Sequence, residues 1–145
     1  MFLVDTNVVS ELRRHATGRA DPRVVAWARA APVAVQFVSA VTLAELEVGV
    51  LRTERRDRRQ GAALRRWFDE DVLRAFAGRV LPVDEAVARR VAALHVPDPA
   101  PSHDALIAAT ALVHGLTVVT RDVADFARFD GVRVLDPWAG STEDG

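Results

Sequence analysis

Short apolar runs recur along the chain, and a helical pattern separates each run from the next. The runs are rich in β-branched residues and are mostly bounded by proline, serine, aspartate or glycine, which predicts strands. The predicted strands are FLV at 2–4, VAVQFV at 33–38, VLPV at 80–83, TVVT at 117–120 and VRVL at 132–135. Pro82 cannot donate to a sheet ladder, so we expect the third strand at an edge or ending there.

Capping residues mark the predicted helix boundaries. Thr6 or Asn7 is suited to cap the first helix, and Ser39 to cap the helix that carries Glu45. Gly115 follows a helix that is apolar on nearly every side, which predicts a buried helix ending in a left-handed glycine. The other predicted helices run through VVSELRR at 8–14, VVAWARA at 24–30 after Asp21-Pro22, 57–77, 84–95 and, before Gly115, 103–114.

Strands that alternate with helices predict an α/β fold. The connections are too long for hairpins, which favours a mostly parallel sheet covered by helices on both faces. With 145 residues and 50% hydrophobic content, the chain fits one globular domain with enough apolar residues for a core. We therefore expect a single domain.

Composition excludes several kinds of chemistry. The chain has no cysteine, which removes disulfides, thiolate zinc sites and cysteine nucleophiles. All 19 basic residues are arginine, so no mechanism can use a lysine ammonium or Schiff base. A net charge near −1 argues against a general polycation but allows a local basic groove. Without a basic leader or an 18-residue apolar stretch, we expect a cytoplasmic protein with no membrane span.

Four acidic residues lie beside runs that should be buried, namely Asp5, Glu45, Asp104 and Asp122. In a parallel α/β sheet, side chains at the carboxyl ends of the strands gather at one edge. Like charges gathered there would raise one another's pKa, and a divalent cation removes that penalty. Mg²⁺ and Mn²⁺ prefer such oxygen ligands. The pattern predicts a metal site for phosphoryl chemistry.

Each acid also has an ordinary structural interpretation. Asp5 could cap the first helix, and Glu45 stands three residues after Thr42, as in a capping box. Asp104 in a first helical turn would be favoured by the helix dipole, and Asp122 could be a turn residue. Four such coincidences together are much less frequent than one, so we favour the metal site. An alternative fourth acid is Asp125, one helical turn after Asp122.

Neighbouring polar residues offer support for such a site. Thr6, Asn7 and Thr120 could orient the acids or bridge waters, although an ordinary strand threonine is the more common interpretation of Thr120. The histidines show no metal-ligand spacing, and none is assigned a role. Seven arginines between 52 and 66 could contact phosphates, but a solvated helix face is the more common outcome. They are Arg52, Arg55, Arg56, Arg58, Arg59, Arg65 and Arg66.

The segments FLVDTNVVSEL, TLAELEVG, DALIAATALVHGLTVVTRD and VLDPW resemble PIN-domain proteins of the VapC toxin type. The resemblance runs nearly end to end and is weakest between about 52 and 80. It implies a three-layer α/β/α sandwich over residues 1–139. The residues after it, 140–145, follow the last predicted strand, and we expect them to form a flexible tail. The resemblance also implies an Mg²⁺- or Mn²⁺-dependent endoribonuclease whose acids are Asp5, Glu45, Asp104 and Asp122.

The resemblance further implies partners and products. Family members typically form homodimers and are held by a small antitoxin protein, while RNA is the substrate. Asp5, Asp104 and Asp122 would hold the metal and Glu45 would complete the site or position water. Attack by water would leave a 3′-hydroxyl and a 5′-phosphate.

Two other interpretations remain open on the sequence. Aspartyl-phosphate enzymes also place an aspartate after the first strand, but they need a lysine that this chain lacks. A non-catalytic binding module could instead use the acidic rim to dock an arginine-bearing partner. Metal binding that depends on Asp5 would separate the enzyme from the module.

Overall fold

The computed structural model describes residues 1–140, so 141–145 of the predicted tail lie outside the described part. Five parallel strands form one sheet in the order β3-β2-β1-β4-β5. The strands are β1 (Phe2–Val4), β2 (Gln36–Ser39), β3 (Val80–Leu81), β4 (Thr117–Val119) and β5 (Val134–Leu135). The predicted mostly parallel sheet is confirmed.

Helices occupy every long connection between the strands. They are α1 (Thr6–Arg13), α2 (Pro22–Ala30), α3 (Ala40–Arg56), α4 (Arg58–Arg66), α5 (Leu73–Ala75), α6 (Glu85–Leu94), α7 (Ser102–His114) and α8 (Val123–Ala127). Short 3₁₀ turns cover Arg14–Thr17 and Val33–Val35, and a π-helical segment, Trp67–Val72, joins α4 to α5. Within residues 1–140, no helix is long and apolar enough to cross a membrane.

Two apolar cores, one on each face of the sheet, make the fold a three-layer α/β/α sandwich. In β1, Leu3 points into the core that α7 and α8 cover, while Val4 points into the core beneath α1, α2 and the π-helical segment. Val118 and Val119 of β4 divide in the same way. This period of two follows from the pleat, because successive side chains leave opposite faces.

The order of the strands places a crevice at the carboxyl ends of β1 and β4. The chain moves from β1 outward to β2 and β3, then returns across the sheet to β4 on the other side of β1. Loops leaving β1 and β4 therefore diverge to opposite faces of the sheet, which opens a space between them. Asp5 and Thr120 are the first residues after these two strands.

Several predicted boundaries are wrong in detail. Val33–Val35 forms a 3₁₀ turn, so the second strand begins only at Gln36. Asp5, not Thr6 or Asn7, caps α1 by accepting the Thr6 amide. The helix predicted over 57–77 is broken by the π-helical segment, which periodicity in apolar residues does not reveal.

Other predictions are confirmed with their physical reasons. β3, which precedes Pro82, is an edge strand, so the missing proline donor is harmless. Gly115 ends α7 at φ 67°, a left-handed conformation that suits glycine. The middle of α7, from Ile107 to Ala111, is buried all round, but Val113 and His114 at its end are exposed.

Candidate metal centre

Asp5 is the most deeply buried acid of the predicted site, with 7% of its surface exposed. Its backbone amide donates to Val119 of β4, which ties the end of β1 to its neighbour. One carboxylate oxygen accepts the Thr6 amide at 2.8 Å, and the other accepts the Thr120 hydroxyl at 2.8 Å. Burial raises the pKa of Asp5, and these two hydrogen bonds only partly oppose it. Asp5 therefore combines a helix cap with a costly buried charge.

Thr120 connects the two sides of the crevice. Its hydroxyl donates to Asp5 and accepts from the Asn7 side chain at 3.2 Å and from the Asp122 amide at 3.0 Å. Asn7 also donates to Asp122 Oδ2 at 3.2 Å and accepts from the Arg121 amide at 3.3 Å. The ordinary strand interpretation of Thr120 is therefore wrong, because this fully buried hydroxyl orients the acids.

Glu45 and Asp104 reach the same crevice from helices. Glu45 lies in the second turn of α3, and burial followed by the Asp5 charge raises its pKa. Asp104 lies in the first turn of α7, and burial raises its pKa, followed by the charges of Asp125, Asp5 and Asp122. The contacts agree, because Thr120 bonds to both Asp5 and the Asp122 amide, and His103, next to Asp104 in α7, lies 3.7 Å from Glu45. The structure thus brings the four sequence-predicted acids to one place, which we call the acidic centre.

Asp125 belongs to the same neighbourhood. It lies in the first turn of α8, and among the surrounding charges it raises the pKa of Asp104 the most. Asp122 precedes that helix, is held by Asn7 and makes no capping hydrogen bond with its own side chain. Both acids therefore face the centre, and the choice between them as fourth ligand stays a prediction.

The donor set suits a hydrated hard cation. Within residues 1–140, no three histidine, aspartate or glutamate side chains lie close enough together to ligate one ion directly. Mg²⁺ commonly uses one or two carboxylates and keeps several waters, which is compatible with this wider spacing. Burial, with a smaller contribution from neighbouring carboxylates, raises the pKa values of Asp5, Glu45 and Asp104, so the chain alone opposes negative charge at these positions.

Thr6 places a polar atom between two of the acids. Its hydroxyl is buried and has no hydrogen-bond partner among residues 1–140. It is nevertheless near enough to Glu45 to lower that residue's pKa slightly, against the larger effect of burial. It forms no hydrogen bond of ordinary geometry with Glu45, so we regard the hydroxyl as a donor that is free for a ligand. Such a donor could hold a water or a phosphate oxygen.

A family comparison agrees with this geometry. The PIN domain model matches residues 2–132, which include the four acids of the acidic centre. The chain belongs to the PIN-domain family. The segment is most of the chain, so the weakness of the resemblance between about 52 and 80 does not interrupt the domain.

This PIN domain is similar over nearly its whole length to two curated proteins. It is 40% identical over 144 residues to Toxin FitB of Neisseria gonorrhoeae, covering 95% of this chain and 99% of that protein. It is 36% identical over 143 residues to VapC ribonuclease Y4jK of Sinorhizobium fredii, covering 95% and 98%. The predicted VapC-type relationship is confirmed.

Solved structures share the fold. FitAcB from Neisseria gonorrhoeae superposes with a TM-score of 0.83 at 38% identity, covering 95% of this chain and 99% of that one. A toxin-antitoxin complex from Klebsiella pneumoniae superposes with a TM-score of 0.65 at 26% identity, covering 94% and 98%. The predicted α/β/α sandwich is confirmed.

The arginines predicted between 52 and 66 mostly form a solvated face. Arg65 is engaged with three acids, and the other six side chains are exposed on α3 and α4. Outside that cluster, Arg13 and Arg14 line a groove of this PIN domain together with Glu45. Their position about two helical turns after Asp5 is the sequence feature that could have indicated that they lie near the site. Sequence reasoning missed them because two arginines are less conspicuous than seven.

His103 lies at the rim of the acidic centre. Its Nδ1 is 3.7 Å from Glu45 Oε1, and 67% of its side chain is exposed. His95 has a local structural task, because its Nδ1 accepts the Ala100 amide at 3.1 Å. That no histidine serves as a metal ligand stays a prediction.

Proposed function

We propose that this PIN domain is a metal-dependent endoribonuclease and the toxin of a toxin–antitoxin pair. The observation that carries the proposal is the acidic centre, where burial and like charge raise the pKa of three carboxyl groups. A protein gains nothing in stability from gathering unpaired acids, so a cationic ligand is the simplest reason for them. The names of the similar proteins, a toxin and a VapC ribonuclease, support the reaction type.

Asp5, Asp104 and Asp122 would hold Mg²⁺ or Mn²⁺, directly or through water, with Glu45 at the edge of the site. Bound there, such a cation supplies positive charge against a phosphate and acidifies a nearby water. Thr120 and Asn7 keep Asp5 and Asp122 in orientation by the hydrogen bonds described above. The rim is negatively charged and would repel the phosphates of RNA, so a bound cation is needed before RNA can bind there.

Glu45 has the properties of the proton acceptor. Its raised pKa makes the carboxylate a better base than an ordinary surface glutamate, and its side chain stays partly open to solvent. A water positioned by Glu45 attacks phosphorus while the bond to the 3′ oxygen breaks. The water's proton passes to Glu45, and the leaving oxygen is protonated from solvent. One fragment then ends in a 3′-hydroxyl and the other begins with a 5′-phosphate.

Partner proteins follow from the same proposal. The similar Klebsiella structure is a toxin-antitoxin complex, which supports an antitoxin as the partner of this chain. We further propose a homodimer. Growth arrest on expression of the chain, relieved by coexpression of one specific small protein that copurifies with it, would support the toxin role. Light scattering of the purified chain would report a mass of about twice 15.8 kDa for the dimer.

The decisive experiment is RNA cleavage by the purified chain. Total RNA is incubated with protein in Mg²⁺ or Mn²⁺, in EDTA, and with Asp5→Ala prepared identically. We expect discrete fragments with 5′-phosphates only when both metal and Asp5 are present, because contaminating ribonucleases would not depend on Asp5. The 5′-phosphate is verified by ligation without prior phosphorylation.

A failed cleavage assay would be interpreted by metal binding. If the folded chain binds Mn²⁺ through Asp5 but leaves RNA from several sources intact, the endoribonuclease proposal is wrong and a metal-binding module takes its place. If neither Mn²⁺ binding nor cleavage occurs, the acidic rim is a docking surface. Cyclic phosphate ends would reject attack by water while keeping the nuclease.

A further inference from the structure

A groove leads away from the acidic centre along α1 and α3. It encloses about 290 Å³, with Thr6 and Glu45 at one end and Arg13, Arg14 and Trp67 at the other. Arg13 lies seven residues after Thr6 in the same helix, so the two ends are about 10 Å apart along its axis. The groove therefore joins an anionic site to a cationic one.

The cationic end opens into a second concavity of about 470 Å³, lined by Arg13, Arg14, Thr17 and Arg19, which we call the arginine pocket. Its shape comes from the turn after α1. Gly18 adopts φ 69°, and the Arg19 amide donates to the Arg14 carbonyl at 3.1 Å. This reversal brings Arg19 back beside Arg14, so three guanidinium groups surround one space.

These arginines are available for a ligand. Within residues 1–140, Arg13 and Arg19 form no ion pair with a carboxylate inside 4.0 Å. Arg14 has only Glu11, at 3.8 Å, and 64% of its side chain is exposed. Arg65, in contrast, is shared among three acids. A free cluster of positive charge within one domain of net charge −1 is suited to an anion.

Trp67 adds an aromatic surface at the cationic end of the groove. It is half-buried and borders the groove, and the Arg13 guanidinium lies 5.9 Å from the centre of its ring. A basic groove with an aromatic side chain is the combination that binds single-stranded nucleic acid, because phosphates meet the cations and a base stacks on the ring. Leu46 and Leu64 give the groove an apolar floor for the same purpose.

We propose that this groove holds single-stranded RNA, with the arginine pocket binding a phosphate that flanks the bond to be cut and Trp67 contacting a base. The inference rests on the proposed function, since it gives that reaction its substrate path. It assigns Arg13, Arg14 and Arg19 to substrate binding and leaves the chemistry to the acidic centre. Single strands are favoured because a stacked duplex offers no free base to Trp67.

Binding is measured separately from cleavage, with the Asp5→Asn protein in EDTA. A fluorescent single-stranded RNA is titrated at several salt concentrations against this protein and against the same protein carrying Arg14→Gln and Arg19→Gln. Each neutralised phosphate contributes about −0.7 to the slope of log K against log salt for a single strand. Loss of the one phosphate held by the pocket should therefore reduce the slope by about 0.7 and weaken binding severalfold at low salt.

Two matched variants separate the pocket from general charge. Arg89→Gln with Arg90→Gln removes two exposed arginines from α6, on the opposite layer, and should leave the slope unchanged. Arg14→Lys with Arg19→Lys keeps the charge and should retain most of the slope. An equal loss of slope in the α6 pair, or no loss in the pocket pair, would overturn the proposal.

Trp67 is tested by fluorescence quenching. RNA should quench the protein in a component that Trp67→Phe lacks, and equal quenching in both proteins would remove Trp67 from the path. In the active protein, loss of the pocket arginines should raise KM with kcat nearly unchanged. If an acidic peptide loses binding in the pocket variant while RNA does not, the pocket docks a protein and the RNA path is wrong.

The result is distinguishable from failure of the proposed function. RNA binding that depends on the arginine pocket, in a chain that never cleaves RNA, supports the path and rejects the nuclease. Cleavage that needs Asp5 and metal but is indifferent to the pocket supports the nuclease and rejects the path.

Discussion

The acidic centre and the α3–α4 hairpin, residues 40–66, differ in how their charged side chains are paired. In the hairpin, Arg65 lies 2.9 Å from Glu54, 3.5 Å from Glu47 and 3.7 Å from Asp69. In the acidic centre, carboxylates lie near other carboxylates. Asp5 and Asp122 accept hydrogen bonds from neutral donors, and Glu45 has only the exposed His103 at 3.7 Å as a possible ion-pair partner among residues 1–140. Arg65 and its three acids are instead paired with charges of opposite sign, which is the arrangement expected where charges serve only stability.

The pKa directions record the same difference. The hydrogen bond from Arg65 lowers the pKa of Glu54, whereas burial and neighbouring acids raise the pKa of Asp104. A lowered pKa means that the fold favours the charged form, and a raised pKa means that the fold opposes it. By this measure the fold favours the charged form of Glu54 in the hairpin and opposes the charged form of Asp104 in the acidic centre.

The largest expected effect is on cleavage. Asp104→Asn keeps the size of the side chain and removes a charge from the acidic centre, so activity should fall by about 100- to 1,000-fold, the loss typical of removing one group that stabilises the developing charge. Initial rates with a labelled RNA would measure it. Asp130→Asn, at an exposed position in the turn after α8, is the control and should retain full activity. An Asp104→Asn protein with ordinary activity would remove Asp104 from the mechanism.

The second effect concerns packing in the hairpin. A Cβ on Gly61 would collide with the backbone of Glu54, because α4 packs tightly on α3 there. Gly61→Ala should therefore lower the free energy of unfolding by about 1–3 kcal/mol. Gly49→Ala is the matched change, since that exposed helical glycine has open space around it, and it should stabilise by about 0.5–1 kcal/mol. Urea titration of both variants measures the difference, and equal stabilities would show that α3 and α4 are not in close contact.

The third effect is a stability gain at the acidic centre without metal. Because the folded-state pKa of Asp104 is raised, its protonated form supports the fold at low pH, and that contribution is lost as the pH rises through the raised value. In EDTA, Asp104→Asn should melt at a higher temperature than the wild type at pH 7.5, and the gap should shrink toward pH 4. Mn²⁺ should raise the melting temperature of the wild type more than that of the variant. A variant less stable than the wild type at neutral pH would contradict the comparison.

The smallest expected effect is a loss of stability in the hairpin, with the opposite dependence on pH. Glu54→Gln removes an acid whose pKa is lowered by Arg65, so its stabilising contribution exists above the ordinary glutamate pKa and is lost as the pH falls. Its melting temperature should drop slightly at neutral pH and low salt. Because both side chains remain partly open to solvent, 0.5 M NaCl should remove much of the difference. A drop that persists in high salt would indicate a packing role for Glu54 and not a charge role.

Much of the fold was predictable because each local signal had one interpretation. Pro82 placed β3 at an edge, and Gly115 marked the end of α7. The 3₁₀ turn at Val33–Val35 was not predictable, since three apolar residues in a row suit a strand equally well. The π-helical segment was missed for a related reason, because apolar spacing does not distinguish it from an α-helix.

The acids of the candidate site could be picked out from the sequence, but the residues that hydrogen-bond to them could not. Asp5, Glu45, Asp104 and Asp122 were conspicuous because each adjoins an apolar run. Thr120 was not conspicuous, because a buried threonine beside a strand is common. Two of its three hydrogen bonds reach Asn7 and Asp5, which are 113 and 115 residues away in the chain, and the third stays within its own loop. Side-chain networks of this kind become visible only when two strands are placed side by side.

By itself, the sequence determined the alternation of strands and helices, the absence of lysine and cysteine chemistry, and the identity of four acids, because these depend on residue type and local spacing. Only the tertiary structure decided that β4 lies beside β1, which brings Thr120 within 2.8 Å of Asp5. It also decided that Arg13, Arg14 and Arg19 surround one space while Arg65 is occupied by acids. The physical reason is that the interaction between two charges depends on their distance in space, which the number of residues between them in the chain does not determine.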